Sequence, residues 1–320
     1  MNYIAIQGTA KPVSQLIMGS DFFTLDNAEE VSEVLAAYLG IGGNTIDTAH
    51  IYCGGQSEQA IGRWLEETNN REKIVILTKG AHHDSSGPRV NREAIYSDLM
   101  TSLERLRTDS VELYALHRDD PSVPVGPIIE ALNEHIEAGK VQAIGASNWT
   151  HQRLQEANDY AAAHGLQGFA FSSPNLSLAK ANEPFWAGCV SADEHTLAWH
   201  ESSQLPLLSW SSQARGFFTG RFTPEKRDNP DLVRVFYSDG NWERLRRAEQ
   251  LAAAKGATAI EIALAYVLNQ PFPTCALIGA RNDKEMKSCL AGAQIKLTAE
   301  ERDWLDLKPG ANAPQDVPGA

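Results

Sequence analysis

From Leu16 almost to the C-terminus, short apolar runs alternate with helix-length amphipathic segments, with a spacing mostly near thirty residues. The runs are Leu16–Gly19, Asn44–Asp47, Ile74–Thr78, Val111–Leu116, Ala143–Ala146, Gly168–Phe171, Leu207–Trp210 and Cys275–Ile278. They are mostly free of polar alternation, as parallel strands buried on both faces should be. Between them Ile95, Leu99, Leu103 and Leu106 recur at helical spacing. So do Leu132 with Ile136 before Gly139, and Leu245, Ala248 and Leu251 before Gly256. Glycine just past a helix accepts the left-handed backbone that stops it. Thr258 with Glu261 and Thr298 with Glu301 read as capping boxes. Eight such strand–helix units leave two architectures, an open doubly wound sheet or a closed (β/α)8 barrel. The glycine fingerprint of the open sheet is missing after the first strand, and Gly40, Gly42 and Gly43 precede a strand instead. The barrel is therefore expected, with Tyr3–Val13 forming a hairpin across its bottom. No linker divides residues 1–308, so one domain is expected. Arg221–Asp239 reads as a charged insertion, and 309–320 as a flexible tail too polar and Pro/Gly-rich to pack.

Lys and Arg total 28 against 41 Asp and Glu, a formal charge of −13. That balance excludes a nucleic-acid footprint and an anionic membrane surface as partners. Cys53, Cys189, Cys275 and Cys289 are far apart, with no metal-ligand spacing. Reduced thiols are expected, and so is a cytoplasmic location. The start Met1-Asn2-Tyr3-Ile4 has no basic or apolar leader pattern, and no apolar run reaches membrane-spanning length.

In a parallel barrel the C-terminal strand ends converge on one mouth. Here the second ends in Asp47-Thr48-Ala49-His50-Ile51-Tyr52, the third in Thr78-Lys79 and the fourth in Leu116-His117-Arg118-Asp119. An acid, a phenol, an amine and an imidazole then face one volume. A phenol has a reference pKa of about 10, and a neighbouring ammonium lowers it. Tyr52 is thus expected as a proton donor tuned by Lys79, with Asp47 anchoring Lys79 and His117 orienting a carbonyl oxygen. Singly, Asp47 suits a loop cap, Lys79 a solvated strand end and His117 a satisfied core histidine. Their coincidence at successive strand ends favours the catalytic reading.

These residues sit in longer motifs. Gly43-Asn44-Thr45-Ile46-Asp47-Thr48-Ala49 through Tyr52, with Ser57-Glu58, resembles the first signature of the aldo-keto reductase family. Ser102-Leu103 through His117, and Gly139-Lys140-Val141 through Ser147-Asn148, resemble the second and third. The resemblance runs from about Val13 to Leu305 and implies a (β/α)8 barrel that reduces carbonyls with a nicotinamide cofactor. It assigns Asp47, Tyr52, Lys79 and His117 the roles above. It further implies that Ser147 and Asn148 meet the carboxamide and that Trp210 stacks under the nicotinamide. Ser211, Ser212, Gln213, Arg215 and Gly216, with Arg221, resemble the pyrophosphate loop. Gly279 and Arg281 resemble the segment at the adenosine end. Ser173, Glu285 and Cys289 depart from the glutamine, the Gln or Arg, and the asparagine usual at their positions. NADP(H) is the expected cofactor, because Arg281 can grip a 2′-phosphate, with NAD(H) usable because Glu285 opposes one.

The substrate is expected to be a small carbonyl or alcohol. Phe22, His82, Arg118 and Trp149 are candidate contacts around the mouth, and aromatic walls with hydrogen-bonding groups suit a sugar- or polyol-like carbonyl. Two other readings stand beside this one. One is a nucleotide-sensing or partner-binding barrel with little turnover. The other is a metal-dependent hydrolase using His50, His82, His83 and His117, which leaves Tyr52 and Lys79 idle.

Overall fold

The computed structural model describes residues 1–315 and Val317. Strand β1 (Tyr3–Ile4) pairs antiparallel with β2 (Val13–Ser14). The barrel strands are β3 (Leu16–Gly19), β4 (Thr45–Asp47), β5 (Val75–Gly80), β6 (Val111–Leu116), β7 (Val141–Ser147), β8 (Phe171–Ser173), β9 (Leu207–Ser209) and β10 (Thr274–Ile278). All neighbours are parallel, and the pairing of β10 with both β9 and β3 closes the barrel. The connecting helices are α1 (Ala28–Gly40), α2 (Gln56–Thr68), α3 (Arg92–Leu106), α4 (Val125–Glu137), α5 (His151–His164) and α6 (Glu194–Ser203). After β9 come α7 (Pro230–Phe236), α8 (Asp239–Lys255) and α9 (Ala259–Leu268), and after β10 come α10 (Asp283–Gln294) and α11 (Ala299–Leu305).

Side chains alternate across each strand, so each strand feeds two cores. The inner cluster holds Ile17, Val75, Leu77, Leu113, Ala115, Ala143, Phe171, Leu208, Cys275 and Leu277. Ile6 and Val13 of the hairpin region join it, so the hairpin plugs the barrel. The alternate residues, among them Ile46, Ile76, Tyr114 and Ile144, join the larger cluster under the helices. Counting on by two along the inner face places Asp47 after Thr45, Lys79 after Leu77, His117 after Ala115 and Ser173 after Phe171. The inert core and the candidate site are thus one continuous surface.

Helix ends follow the sequence signals. Gly256 caps α8 with φ +64°, and Glu301 and Thr298 exchange both capping bonds at α11. The stretch 221–239 differs from a simple charged insertion. Asn229 caps α7, Pro230 opens it, and Leu232, Val235 and Phe236 are buried. The stretch after Pro309 also differs from an unpacked tail. Ala311 and Ala313 pack on the main cluster and Val317 is buried within it, while Asp316 and 318–320 lie outside the described residues. Among the described residues no single helix is long and apolar enough to cross a membrane, and the four cysteines are unpaired.

Candidate active site

Tyr52 owes its place to a sharp turn after β4. Cys53, Gly54 and Gly55 have φ of +50°, +65° and +92°, left-handed backbone that glycine adopts at least cost. At Gly55 a Cβ would strike the Arg105 guanidinium at 2.4 Å. The turn delivers Tyr52 onto Lys79, whose Nζ donates to the phenol oxygen at 3.1 Å. The same ammonium lies 2.6 Å from Asp47 Oδ1 and donates to the Thr48 carbonyl at 2.9 Å. Lys79 and Asp47 are each 2% exposed, so the ammonium has a fixed position and a fixed partner. Behind it, Thr78 donates to Glu58 at 2.6 Å and Arg105 pairs with Glu58 at 3.2 Å. Asp98 accepts from the Ala81 N–H and pairs with Arg89, bracing the strand end that carries Lys79.

The electrostatics correct one expectation. Burial pushes the Tyr52 phenol up to about 12, and the Lys79 ammonium offsets this only in part. The phenol therefore keeps its proton throughout the neutral range. Burial also works against the Lys79 charge, but Asp47 and Tyr52 outweigh it and leave the pKa above the ordinary lysine value. His117 lies edge-on to Tyr52, with ring centroids 5.6 Å apart. Burial, and then Lys79 and Arg118, hold its pKa well below the ordinary histidine value, so its imidazole is neutral. Its Nδ1 is buried without a protein partner. His82 packs edge-on against His117 at 4.9 Å, and burial brings its pKa down to about 4.

The residues expected to meet the nicotinamide divide into two groups. Ser147 donates to the Ser173 carbonyl at 2.8 Å. Asn148, at φ +62°, donates to Ser147 and to the His117 carbonyl and accepts from the Val190 N–H. Both side chains are engaged with the protein, so they shape the site as much as they face it. By contrast, the Ser173 hydroxyl and the Trp210 indole N–H are buried without partners among the described residues. A bound carboxamide group would supply the partner that the Ser173 hydroxyl lacks, so the residues present fit a nicotinamide.

Ser211, Ala214, Arg215 and Gly216 all have positive φ, between +47° and +86°. Such a turn can gather N–H groups into an anion-binding concavity suited to a pyrophosphate. Ser212 ties this turn to the Leu277 carbonyl at 2.7 Å, and Gln213 accepts from the Cys289 thiol. Arg215 stacks on Phe185 and Trp186, at 4.8 and 5.5 Å from the ring centres, while Arg221 hydrogen-bonds Thr219. A Cβ on Gly279 would meet no heavy atom within 4 Å, leaving open space at the end of β10. Arg281 lies 4.5 Å over the Phe22 ring, and Glu285 folds back to accept from the Arg281 backbone N–H at 2.9 Å.

Two candidate substrate contacts take other positions. Phe22 borders Arg281, in the segment expected to meet the adenosine. Trp149 is 1% exposed, and its indole donates to the Arg118 carbonyl, so it is wall rather than lining. Its side chain looked like an aromatic at a strand end because sequence does not distinguish the mouth from the layer behind it. The sequence reading missed the Thr48 carbonyl, the third acceptor around Lys79, because a backbone group leaves no residue-type signal. It also missed Asn175, which donates to the Trp210 carbonyl at 3.0 Å. Among the described residues no group of three or more His, Cys, Asp or Glu is arranged to hold a metal ion.

The sequence model of the aldo/keto reductase family matches residues 15–307. The aldo-keto reductase YhdN of Bacillus subtilis is 28% identical over 306 residues, covering 90% of this chain and 87% of that protein. Versiconal hemiacetal acetate reductase of Aspergillus parasiticus is 27% identical, with 96% of each chain covered. Among solved structures, a thermostable aldo-keto reductase in complex with the inhibitor epalrestat shares the fold. Its TM-score is 0.75 at 24% identity, over 96% of this chain and 99% of that one.

Proposed function

The chain belongs to the aldo/keto reductase family, a family of NAD(P)H-dependent oxidoreductases acting on small carbonyl compounds, and we propose that Tyr52 is the proton donor of its reaction. The carrying observation is the buried chain Asp47–Lys79–Tyr52 beside a neutral His117. A carbonyl oxygen gaining alkoxide character is a far stronger base than a phenolate, so a phenol that stays protonated can still transfer its proton. The ammonium 3.1 Å away then stabilises the phenolate left behind. His117, kept neutral, donates one N–H to the same oxygen and fixes its direction. Asp47 holds Lys79 charged and in place.

The nicotinamide supplies the hydride when bound. Ser173 is suited to hold its carboxamide end with Ser147 and Asn148, Trp210 to stack on its ring, the 211–216 turn to hold its pyrophosphate, and Gly279, Arg281 and Glu285 its adenosine end. NADPH is preferred and NADH usable. Arg281 offers an exposed guanidinium, and Glu285, turned onto the backbone, caps the segment instead of opposing a phosphate directly. His82, His117 and Arg118 give the mouth more hydrogen-bonding groups than a purely apolar substrate needs, which favours sugar- or polyol-like carbonyls. A screen of aldoses, ketoses and small aldehydes with each cofactor, followed by absorbance of the reduced nicotinamide, tests the reading. Absence of turnover on every carbonyl would refute it and favour a sensing barrel.

A further inference from the structure

One cation at the mouth has no counter-charge. Arg118 follows His117 directly and is 7% exposed. Its Nη1 donates to the His117 carbonyl at 2.8 Å and its Nε to the Ala187 carbonyl at 3.3 Å. Two of the five guanidinium donors are thus used, and three have no protein partner among the described residues. Among the neighbouring cations Lys79 is matched by Asp47, Arg89 by Asp98 and Arg153 by Asp119, while Arg215 has its charge on the Phe185 and Trp186 rings. No carboxylate of the described residues pairs with Arg118. Its stem packs against Gly188, where a Cβ would come within 3.3 Å of Cδ. Its two hydrogen bonds and this contact place the head group between the end of β6 and the 187–188 loop, and its charge is felt at His82 and His117.

A structural tie between two backbone carbonyls needs only a neutral donor. Holding a buried charge by such contacts alone is costly, and a ligand anion would offset that cost. We propose that Arg118 binds a carboxylate carried by the carbonyl substrate itself. The proposal rests on the reductase reading and narrows its substrate class. Lys79 and Asp47 cancel, and His82 and His117 are neutral, so Arg118 is the unmatched charge beside His117, with the Asp21 carboxylate felt farther round the mouth at Tyr52. One charge matches a carboxylate better than a phosphate ester, and the planar guanidinium matches it in shape with two parallel donors. A sugar acid or short oxo acid also uses the mouth's remaining hydrogen-bonding groups.

Matched pairs test this with the intact enzyme and saturating NADPH: butanal against succinic semialdehyde, glucose against glucuronate, and glyceraldehyde against its 3-phosphate. Wild type should favour the carboxylate members in kcat/KM by about tenfold to a hundredfold, the range of a hydrogen bond to a charged group. That ratio should fall toward one in Arg118→Met and only partly in Arg118→Lys. Propionate should inhibit wild type competitively against butanal. Equal kcat/KM within the carboxylate pairs, with turnover of the neutral aldehydes intact, overturns the carboxylate site and leaves the reductase reading standing. A preference for the phosphate over both carboxylates overturns the choice of anion. No turnover on any carbonyl overturns both readings. Should Arg118→Met fail to fold, the wild-type ratios and the propionate inhibition decide the question alone.

Discussion

Replacing Lys79 by methionine separates what the ammonium does for folding from what it does for chemistry. The substitution keeps the length of the side chain and removes three contacts, to Asp47, Tyr52 and the Thr48 carbonyl. Asp47 is then a carboxylate 2% exposed with no cation beside it. Breaking a buried pair this way costs roughly 3–5 kcal/mol. Burial already pushes the Asp47 carboxyl up, and Lys79 is the group that pulls it back. In the variant the folded-state pKa therefore rises further above the unfolded value. The folded state then binds the extra proton, so the variant's stability is fully present below the unfolded pKa and falls as pH rises through the folded one, by about 1.4 kcal/mol per unit. Urea unfolding followed by tryptophan fluorescence should show a gap from wild type that is small near pH 5 and several kcal/mol at pH 8. Adding Asp47→Asn should remove most of the gap. Turnover should fall by about 10²–10⁴ in the single variant and stay low in the double, since the phenolate has lost its stabilising charge. Equal stability of Lys79→Met and wild type at pH 8, or full activity of the double variant, would refute the reasoning.

Tyr52→Phe should lower kcat by about 10²–10⁴ while fluorescence titration shows cofactor affinity unchanged, because the ring stays and only the hydroxyl, with its transferable proton and its bond from Lys79, is lost. His117→Ala should reduce kcat/KM for carbonyl reduction without loss of cooperative unfolding; loss of folding with fully active residual protein would make His117 structural. Arg281→Ala should weaken NADPH selectively in equilibrium binding. An equal loss for both cofactors would show instead that its stacking on Phe22 shapes the whole adenosine end.

Much of the fold was legible because strands buried on two faces leave compact apolar runs. Leu16–Gly19 and Val111–Leu116 are strands at the residues expected. The sixth barrel strand is displaced, running Phe171–Ser173 rather than Gly168–Phe171. Its apolar lead-in is held by Asn158, which bonds the Phe169 N–H and carbonyl, and the strand continues into polar serines that the mouth buries. Helix α7 was hidden for a related reason. Its start signal, Asn229-Pro230, stands among charged residues that mask a three-residue apolar face. The tetrad was legible because each member has a residue type unusual at a strand end. The net elevation of the Tyr52 pKa was not, because it depends on burial at the mouth rather than on the identity of the neighbour.

Three of the buried polar atoms without partners, on His117, Ser173 and Trp210, lie at or just past the ends of β6, β8 and β9. A buried polar group left unpaired costs about 1–3 kcal/mol, and a barrel selected for stability alone would have no reason to place three at one end. Others lie under the outer helices, at Ser102, His200, Arg244 and Arg302, but the inner face below the mouth is apolar from Ile17 to Leu277 and filled from beneath by Ile6 and Val13, so within the barrel these three stand in the layer that faces a ligand. Arg118 extends the pattern from unpaired dipoles to an unpaired charge one residue beyond His117. The Ser173 hydroxyl suits the cofactor's amide, whereas His117 suits a carbonyl oxygen and the guanidinium an anion, so cofactor and substrate groups are asked for at neighbouring positions around Tyr52. A reductase needs that division, because the cofactor and the substrate must be held separately while both meet the same proton donor.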